Sequence, residues 1–292
     1  MSMLVNTFNK QGSIRSFTLQ RRLASSFRDM SLLSMFENCT RLLTRFMNKE
    51  LSISSQGGEL SMMACLQLTI DILSYDFIGT ASDESIDDLG TVEIPSSWKR
   101  TIQENDLVEV LFTLYADNET AQHPQMRSKT LECVAQMAAI KRSLFVTLDR
   151  KTYFSKFITH CIKIMDIKQG LEVEENYHQF CRVLARIKMV EMSNLVEEDL
   201  FARLVTAVGD LLGASVGAWQ WAGHSTDYLL TVWAKLVPAL PTRTKPSPLP
   251  ALFDVYSPRI ANDYYSSRID AVETILRGQL DDPLNDQRGV WM

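Results

Sequence analysis

The sequence predicts an all-α fold, an α-solenoid of HEAT-like helical hairpins. Apolar residues recur at intervals of three and four, as in Met63, Leu66, Ile70 and Leu73, which is the period of a helix with one buried face. No run of strict apolar and polar alternation marks a strand. The helical stretches come in pairs, and the first members of three pairs start about 46 residues apart, within the ~40–47-residue period of helical-hairpin arrays.

The first expected pair is 31–48 with 58–75, where the stripe at Met63 to Leu73 lies. The second is 105–116 with 124–139, and the third is 151–167 with 174–190. The fourth is 198–213 with 224–238. Its first helix carries Phe201, Leu204, Val205, Val208, Leu211 and Leu212 on one face. A last helix, 257–280, repeats the pattern with Tyr265, Ile269, Val272 and Leu276 and has no complete partner. Such hairpins bury their apolar faces only by stacking on neighbours. The whole chain, 1–292, is therefore expected to be a single array. Two stretches interrupt its period: an acidic insertion at 76–98 and a proline-rich loop at 238–250. The array opens mid-pattern and stops shortly after an unpaired helix, so the chain is expected to be a piece of a longer solenoid.

Composition narrows the function. With 30 Lys and Arg against 35 Asp and Glu, the net charge of −5 lacks the concentrated positive charge that nucleic-acid binding needs. The five cysteines, Cys39, Cys65, Cys133, Cys161 and Cys181, are widely spaced with no CxxC pair. They predict reduced thiols packed as small hydrophobes rather than a zinc framework or disulfide scaffold. No run of 18 consecutive apolar residues suggests a membrane span, and the N-terminus lacks a signal-peptide pattern. The expected location is cytoplasm or nucleus.

No catalytic motif is present, and no metal or cofactor is expected. His178 and Cys181 lie three apart and could share a helix face, but no orienting group or oxyanion donor accompanies them. Asp281 and Asp282 precede Pro283, which reads as a helix end rather than a calcium loop. The prolines between Pro238 and Pro250 read as a stiff connector before they read as a polyproline ligand. The chain is not expected to be an enzyme.

The insertion is the best functional candidate. From Asp76 to Glu93 it holds six acids and no base. Such a block commonly forms only a solvated loop. Tyr75, Phe77, Ile94 and Trp98 bracket it, however, and can pin both ends to the helices. Asp83, Glu84, Asp87, Asp88 and Glu93 are the candidate partner-binding residues, projecting negative charge that steers a basic partner.

The stretch from Tyr75 to Trp98, YDFIGTASDESIDDLGTVEIPSSW, resembles the corresponding segment of the exportin-seven (Ran-binding protein 16) branch of the importin-β, or karyopherin, superfamily. The same likeness recurs in order at Leu23–Asp29, Arg142–Phe145, Asn176–Arg186, His224–Trp233, Tyr256–Pro258 and Ser267–Leu284. The resemblance implies a HEAT-repeat nuclear transport receptor that binds Ran-GTP and folded cargo proteins with basic surface, passes nuclear pore proteins and shuttles between nucleus and cytoplasm without catalysis. It also implies that the most N-terminal repeats, which grip Ran in such receptors, lie outside this chain. The alternative is a helical-repeat interaction scaffold unrelated to Ran.

Overall fold

A computed structural model describes residues 1–9, 17–75, 77, 90–104, 106–187, 196–239 and 248–277. These residues are mostly helical, with no strand among them; one isolated parallel bridge pairs Val92 with Ile140. The fold is all-α. Two helices, α1 (Ser2–Asn9) and α2 (Phe17–Phe27), precede the first expected pair. A π-turn at Arg28–Leu32 joins α2 to α3 (Leu33–Met47), and α3 pairs with α4 (Gly58–Leu73).

After the insertion come the short α5 (Lys99–Glu104), α6 (Leu107–Ala116) and α7 (Asn118–Ala121), then α8 (Pro124–Ala138), which packs on α6. Next are α9 (Thr147–Ile167), α10 (Glu174–Arg186), α11 (Glu198–Gly217), α12 (Trp219–Leu236) and α13 (Leu249–Leu276).

Local chemistry sets the ends of these helices. The Asp117 carboxylate accepts from the Glu119 backbone N–H at 3.1 Å and caps α7. Pro124 opens α8, where its missing N–H costs nothing. Glu174 and Glu175 start α10 and Arg186 ends it, each sign matching the helix dipole. The last helix begins at Leu249, eight residues before the expected start. Pro250 sits in its first turn, and Leu249, Phe253, Tyr256 and Ile260 form a buried stripe that carries the helix through Pro258. The expected proline-rich loop therefore ends earlier, and its residues 240–247 lie outside the described ones.

The packing forms two rows. In one, α4 packs on α8, α8 on α10 and α10 on α12. In the other, α3 packs on α6, α9 on α11 and α11 on α13. Phe112 of α6 joins α9 through an edge contact with Phe157 at 5.3 Å and a stack on His160 at 4.7 Å. Each row buries faces that a lone hairpin would leave wet. Phe36, Leu66, Leu111, Leu131, Phe180 and Leu204 are all fully buried.

By length and composition α11 could cross a membrane, with a mean hydropathy of 1.4 over its most apolar window. Its stripe is spent inside the protein instead. Phe201, Leu204, Val205, Val208 and Leu212 are buried, and α11 packs on α9, α12 and α13. At Gly209 the contact with α13 is so close that a Cβ would lie 2.4 Å from the Tyr256 ring.

One expected stripe faces the other way. Tyr265, Ile269, Val272 and Leu276 of α13 are exposed, Leu276 by 81%. The helix turns Phe253, Tyr256, Ile260, Ser267 and Ala271 inward, because those residues meet its neighbours in the stack. The 265–276 stripe has the right period but no helix against it among the described residues.

A polar knot fastens the second hairpin to the third. The Tyr115 hydroxyl donates to the Gln169 carbonyl at 2.6 Å, and the Gln169 amide donates back to the Ala116 carbonyl at 3.1 Å. Arg127 donates to the Tyr115 carbonyl at 3.2 Å and lies over its ring. Burial pushes the Tyr115 hydroxyl pKa up to about 12, so it stays a donor at neutral pH. Gly170 has φ +72°, and a Cβ there would sit 2.7 Å from the Tyr115 hydroxyl oxygen.

Leu204→Ala should lower unfolding free energy by about 2–5 kcal/mol, whereas Leu276→Ala should change it by no more than ~0.5 kcal/mol, both read from denaturant melts. Gly170→Ala should cost at least about 1–2 kcal/mol for the left-handed backbone alone. It should cost more if Tyr115 must move, as Tyr115→Phe in the same background would reveal by softening the loss.

Candidate functional site

The acidic insertion leaves the helices at the end of α4 and returns to them at a 3-10 turn, Ser96–Trp98, which leads into α5. Its four bracketing side chains are all buried: Tyr75, Phe77, Ile94 and Trp98. The two ends meet directly. The Phe77 ring stands edge-on to Trp98 at 5.3 Å, and Trp98 lies 5.3 Å from Phe36 of α3. On the other side Phe77 touches Tyr75 at 5.7 Å, Tyr75 touches Phe27 at 6.2 Å, and Phe27 stacks on Phe8 of α1 at 4.6 Å. Offset and edge-on aromatic pairs add about 0.5–1.5 kcal/mol each beyond burial. The ladder therefore makes a firm base.

Polar contacts lock this base. The Tyr75 hydroxyl donates to the Ala24 carbonyl at 3.0 Å. Arg28, the first residue of the π-turn, donates to the Phe77 carbonyl at 2.6 Å. Its other nitrogens make a bidentate pair with Asp29 at 2.7 and 3.1 Å, and this hydrogen bonding holds the Asp29 carboxyl below its ordinary pKa. A π-turn within a helix is often a functional distortion. Here it begins with the arginine that grips the outgoing limb of the insertion.

The returning limb is strapped across the ends of later helices. Arg186, at the end of α10, donates to the Gly90 carbonyl at 3.0 Å. Just beyond α8, the Val92 N–H donates to the Ala139 carbonyl at 2.9 Å, and the Lys141 N–H donates to the Val92 carbonyl at 3.0 Å. Glu93 pairs with Lys141 at 2.8 Å. Of the expected partner-binding acids, Glu93 is thus engaged within the chain. Asp83, Glu84, Asp87 and Asp88 lie outside the described residues.

The other sequence candidates separate on burial. Cys181 is fully buried, and burial pushes its thiol pKa well up, the reverse of what a nucleophile needs. His178 contacts the Ser225 hydroxyl at 3.3 Å and the Tyr228 ring at 5.3 Å. All five cysteines are buried free thiols. Among the described residues no group of three or more His, Cys, Asp or Glu could hold a metal ion. Asp281 and Asp282 lie outside the described residues.

One feature escaped sequence reasoning. A cleft of about 380 Å³ opens beside Tyr177 and Trp221, whose rings meet edge-on at 5.2 Å, with Lys168, Glu172 and Asp210 among its lining residues. Its only sequence signal is the uncharged run Leu211–Thr226, which contains the exposed Trp221.

No known family profile matches the chain, and no solved structure matches it. Curated sequences do. Exportin-7-B of Xenopus laevis is 33% identical over 287 residues, covering 98% of this chain and 26% of that protein. Ran-binding protein 17 of Homo sapiens is 34% identical over 292 residues, covering all of this chain and 26% of its own length. Ran-binding protein 16 of Drosophila melanogaster is 34% identical over 278 residues, covering 93% of this chain and 24% of its own length. The fold is thus that of a helical protein built by stacking, with relatives named for export and Ran binding. Over nearly its whole length the chain is homologous to exportin-7 and to Ran-binding proteins 16 and 17, and it spans about a quarter of the length of those relatives.

Trp98→Ala should cost about 3–5 kcal/mol, the range for truncating a buried large aromatic side chain. It should also make the 76–93 segment a faster target for limited proteolysis. Glu93→Gln removes only an exposed pair, usually worth ~0–1 kcal/mol, and should leave the proteolysis rate near wild type. Equal rates for both variants would show that the aromatic base does not hold the insertion.

Proposed function

We propose that the chain is part of a nuclear transport receptor, a HEAT-like α-solenoid that binds cargo proteins and Ran-GTP without catalysis. The observation that carries this reading is the collinear identity of 33–34% to Exportin-7-B and Ran-binding protein 17 over nearly the whole chain. The two helix rows support the solenoid, since each hairpin buries its faces against the next. A receptor of this kind works by surface complementarity.

The insertion is the part proposed to meet the partner. Asp83, Glu84, Asp87 and Asp88 stand in sequence between limbs fixed at Phe77 and Gly90. Negative charge offered from a fixed base raises the encounter rate of a basic cargo or of Ran. Glu93 contributes through its pairing with Lys141 to the strap that carries them. The proposed setting is a receptor that shuttles between nucleus and cytoplasm and meets nuclear pore proteins on the way.

Association of the longer receptor with GTP-locked Ran and with basic cargo tests this reading. Replacing Asp83, Glu84, Asp87 and Asp88 by Asn or Gln should slow association several-fold at low salt and flatten its salt dependence, because screening acts over about 8–10 Å at physiological ionic strength. Neutralising Glu172, Glu174 and Glu175 is the control for net charge. Equal effects from the two sets would reduce the role of the insertion to bulk charge. No binding of Ran by the unaltered receptor would favour the scaffold unrelated to Ran.

A further inference from the structure

Three thiols gather where the first hairpin meets the second. Cys39 on α3, Cys65 on α4 and Cys133 on α8 are buried and free, and α4 packs on both α3 and α8. The Cys65 thiol donates to the Cys39 carbonyl at 3.3 Å, and the Cys133 thiol donates to the Leu66 carbonyl at 3.4 Å. Cys39 and Cys65 also hydrogen-bond to each other through their side chains. The Cys65 sulfur thus lies against both the backbone and the thiol of Cys39. Closing the gap to an S–S bond asks for side-chain rotation more than for movement of a helix.

The two thiols are not equivalent. Hydrogen bonding from Cys65, aided by Thr69, holds Cys39 below the ordinary thiol pKa, and the same pairing pushes Cys65 up. Burial pushes up Cys133, Cys161 and Cys181. The thiolate is the form that reacts, so Cys39 is the first of the five to meet an oxidant. Cys65 stands next to it to resolve the product.

We propose that Cys39 and Cys65 are a peroxide-sensitive pair that closes to a disulfide and staples α3 to α4. Cys39 sulfur attacks one peroxide oxygen, the O–O bond breaks, and the departing hydroxide leaves as water with the thiol proton. Cys39 is then a sulfenic acid. Cys65 sulfur attacks the Cys39 sulfur, the S–O bond breaks, and the hydroxyl leaves as water with the Cys65 proton. Two thiols and one hydrogen peroxide become one disulfide and two waters, with two electrons passing from sulfur to oxygen. At 3% and 5% exposure the pair is reached through local opening of the hairpin, so oxidation takes roughly minutes to hours. The staple joins the two helices that seat the insertion, since α3 carries Phe36 beneath Trp98 and α4 leads into Tyr75.

Peptide mapping of the whole folded chain after hydrogen peroxide treatment tests this. Trypsin puts Cys39, Cys65 and Cys133 on separate peptides, 29–41, 50–99 and 130–141. Blocking free thiols with iodoacetamide before digestion should leave 29–41 joined to 50–99, two hydrogens lighter than their sum, and 130–141 alkylated. Cys133→Ala should keep the cross-link, and Cys39→Ala or Cys65→Ala should lose it. A bond between positions 26 apart should raise the melting temperature by about 5–10 °C. Dithiothreitol should reverse that rise, because it reduces the disulfide and leaves methionine sulfoxide as it is. Peptides 29–41 and 50–99 that both stay alkylated, under peroxide that oxidises the thiols of the unfolded chain, overturn the proposal. So does a cross-link of 50–99 to 130–141, or a Cys39 that runs on to sulfinic acid without a partner.

Discussion

A helical hairpin has two apolar faces and only one partner of its own, and the rest of this structure follows from that constraint. Pairing α3 with α4 or α11 with α12 covers one face of each helix. The other must be covered by the next pair. Leu66 and Leu131 on α4 and α8, and Phe180 on α10, are fully buried because the row α4, α8, α10, α12 is continuous. Among the described residues no helix covers Tyr265, Ile269, Val272 and Leu276 of α13, and that stripe stays exposed.

Stacking alone would allow adjacent pairs to slide, since apolar contact has little direction. Direction comes from the polar and aromatic joints. The Tyr115, Arg127 and Gln169 knot sets the second hairpin against the third, with Gly170 supplying the backbone turn that a side chain would block. The ladder from Phe8 to Phe36 sets α1, α2 and α3 against both limbs of the insertion. These joints are few and local, so each carries a large share of the register of the stack.

Periodicity made the helices legible in the sequence. The pairs 31–48 with 58–75 and 198–213 with 224–238 fall within a few residues of the observed helices, because their stripes at Leu66 to Leu73 and Phe201 to Leu212 do face neighbours. The same signal misled at Tyr265 to Leu276, since period reports amphipathicity and not whether a partner is present. It also missed α1 and α2, short helices whose inward residues are few and whose stability comes from Phe8, Phe27 and Tyr75 packing together. In the candidate site, the roles of Tyr75, Phe77, Ile94 and Trp98 were readable as large apolar side chains beside a solvated acidic run. The strap was not. Its bonds from Val92 to Ala139 and Lys141, and from Arg186 to Gly90, join backbone groups distant in sequence and leave no pattern in residue type.

The strap has a mechanical consequence. It is fixed at Trp98 on α3, latched at Val92 beside α8 and held at Gly90 by α10. A chain of eight peptide units spans at most ~28 Å when fully drawn out. The segment from Gly90 to Trp98 therefore behaves as a tie-rod laid along three successive hairpins. It sets a ceiling on how far these hairpins can splay while the latches hold, and splaying beyond that ceiling must first break the Gly90 or Val92 bonds.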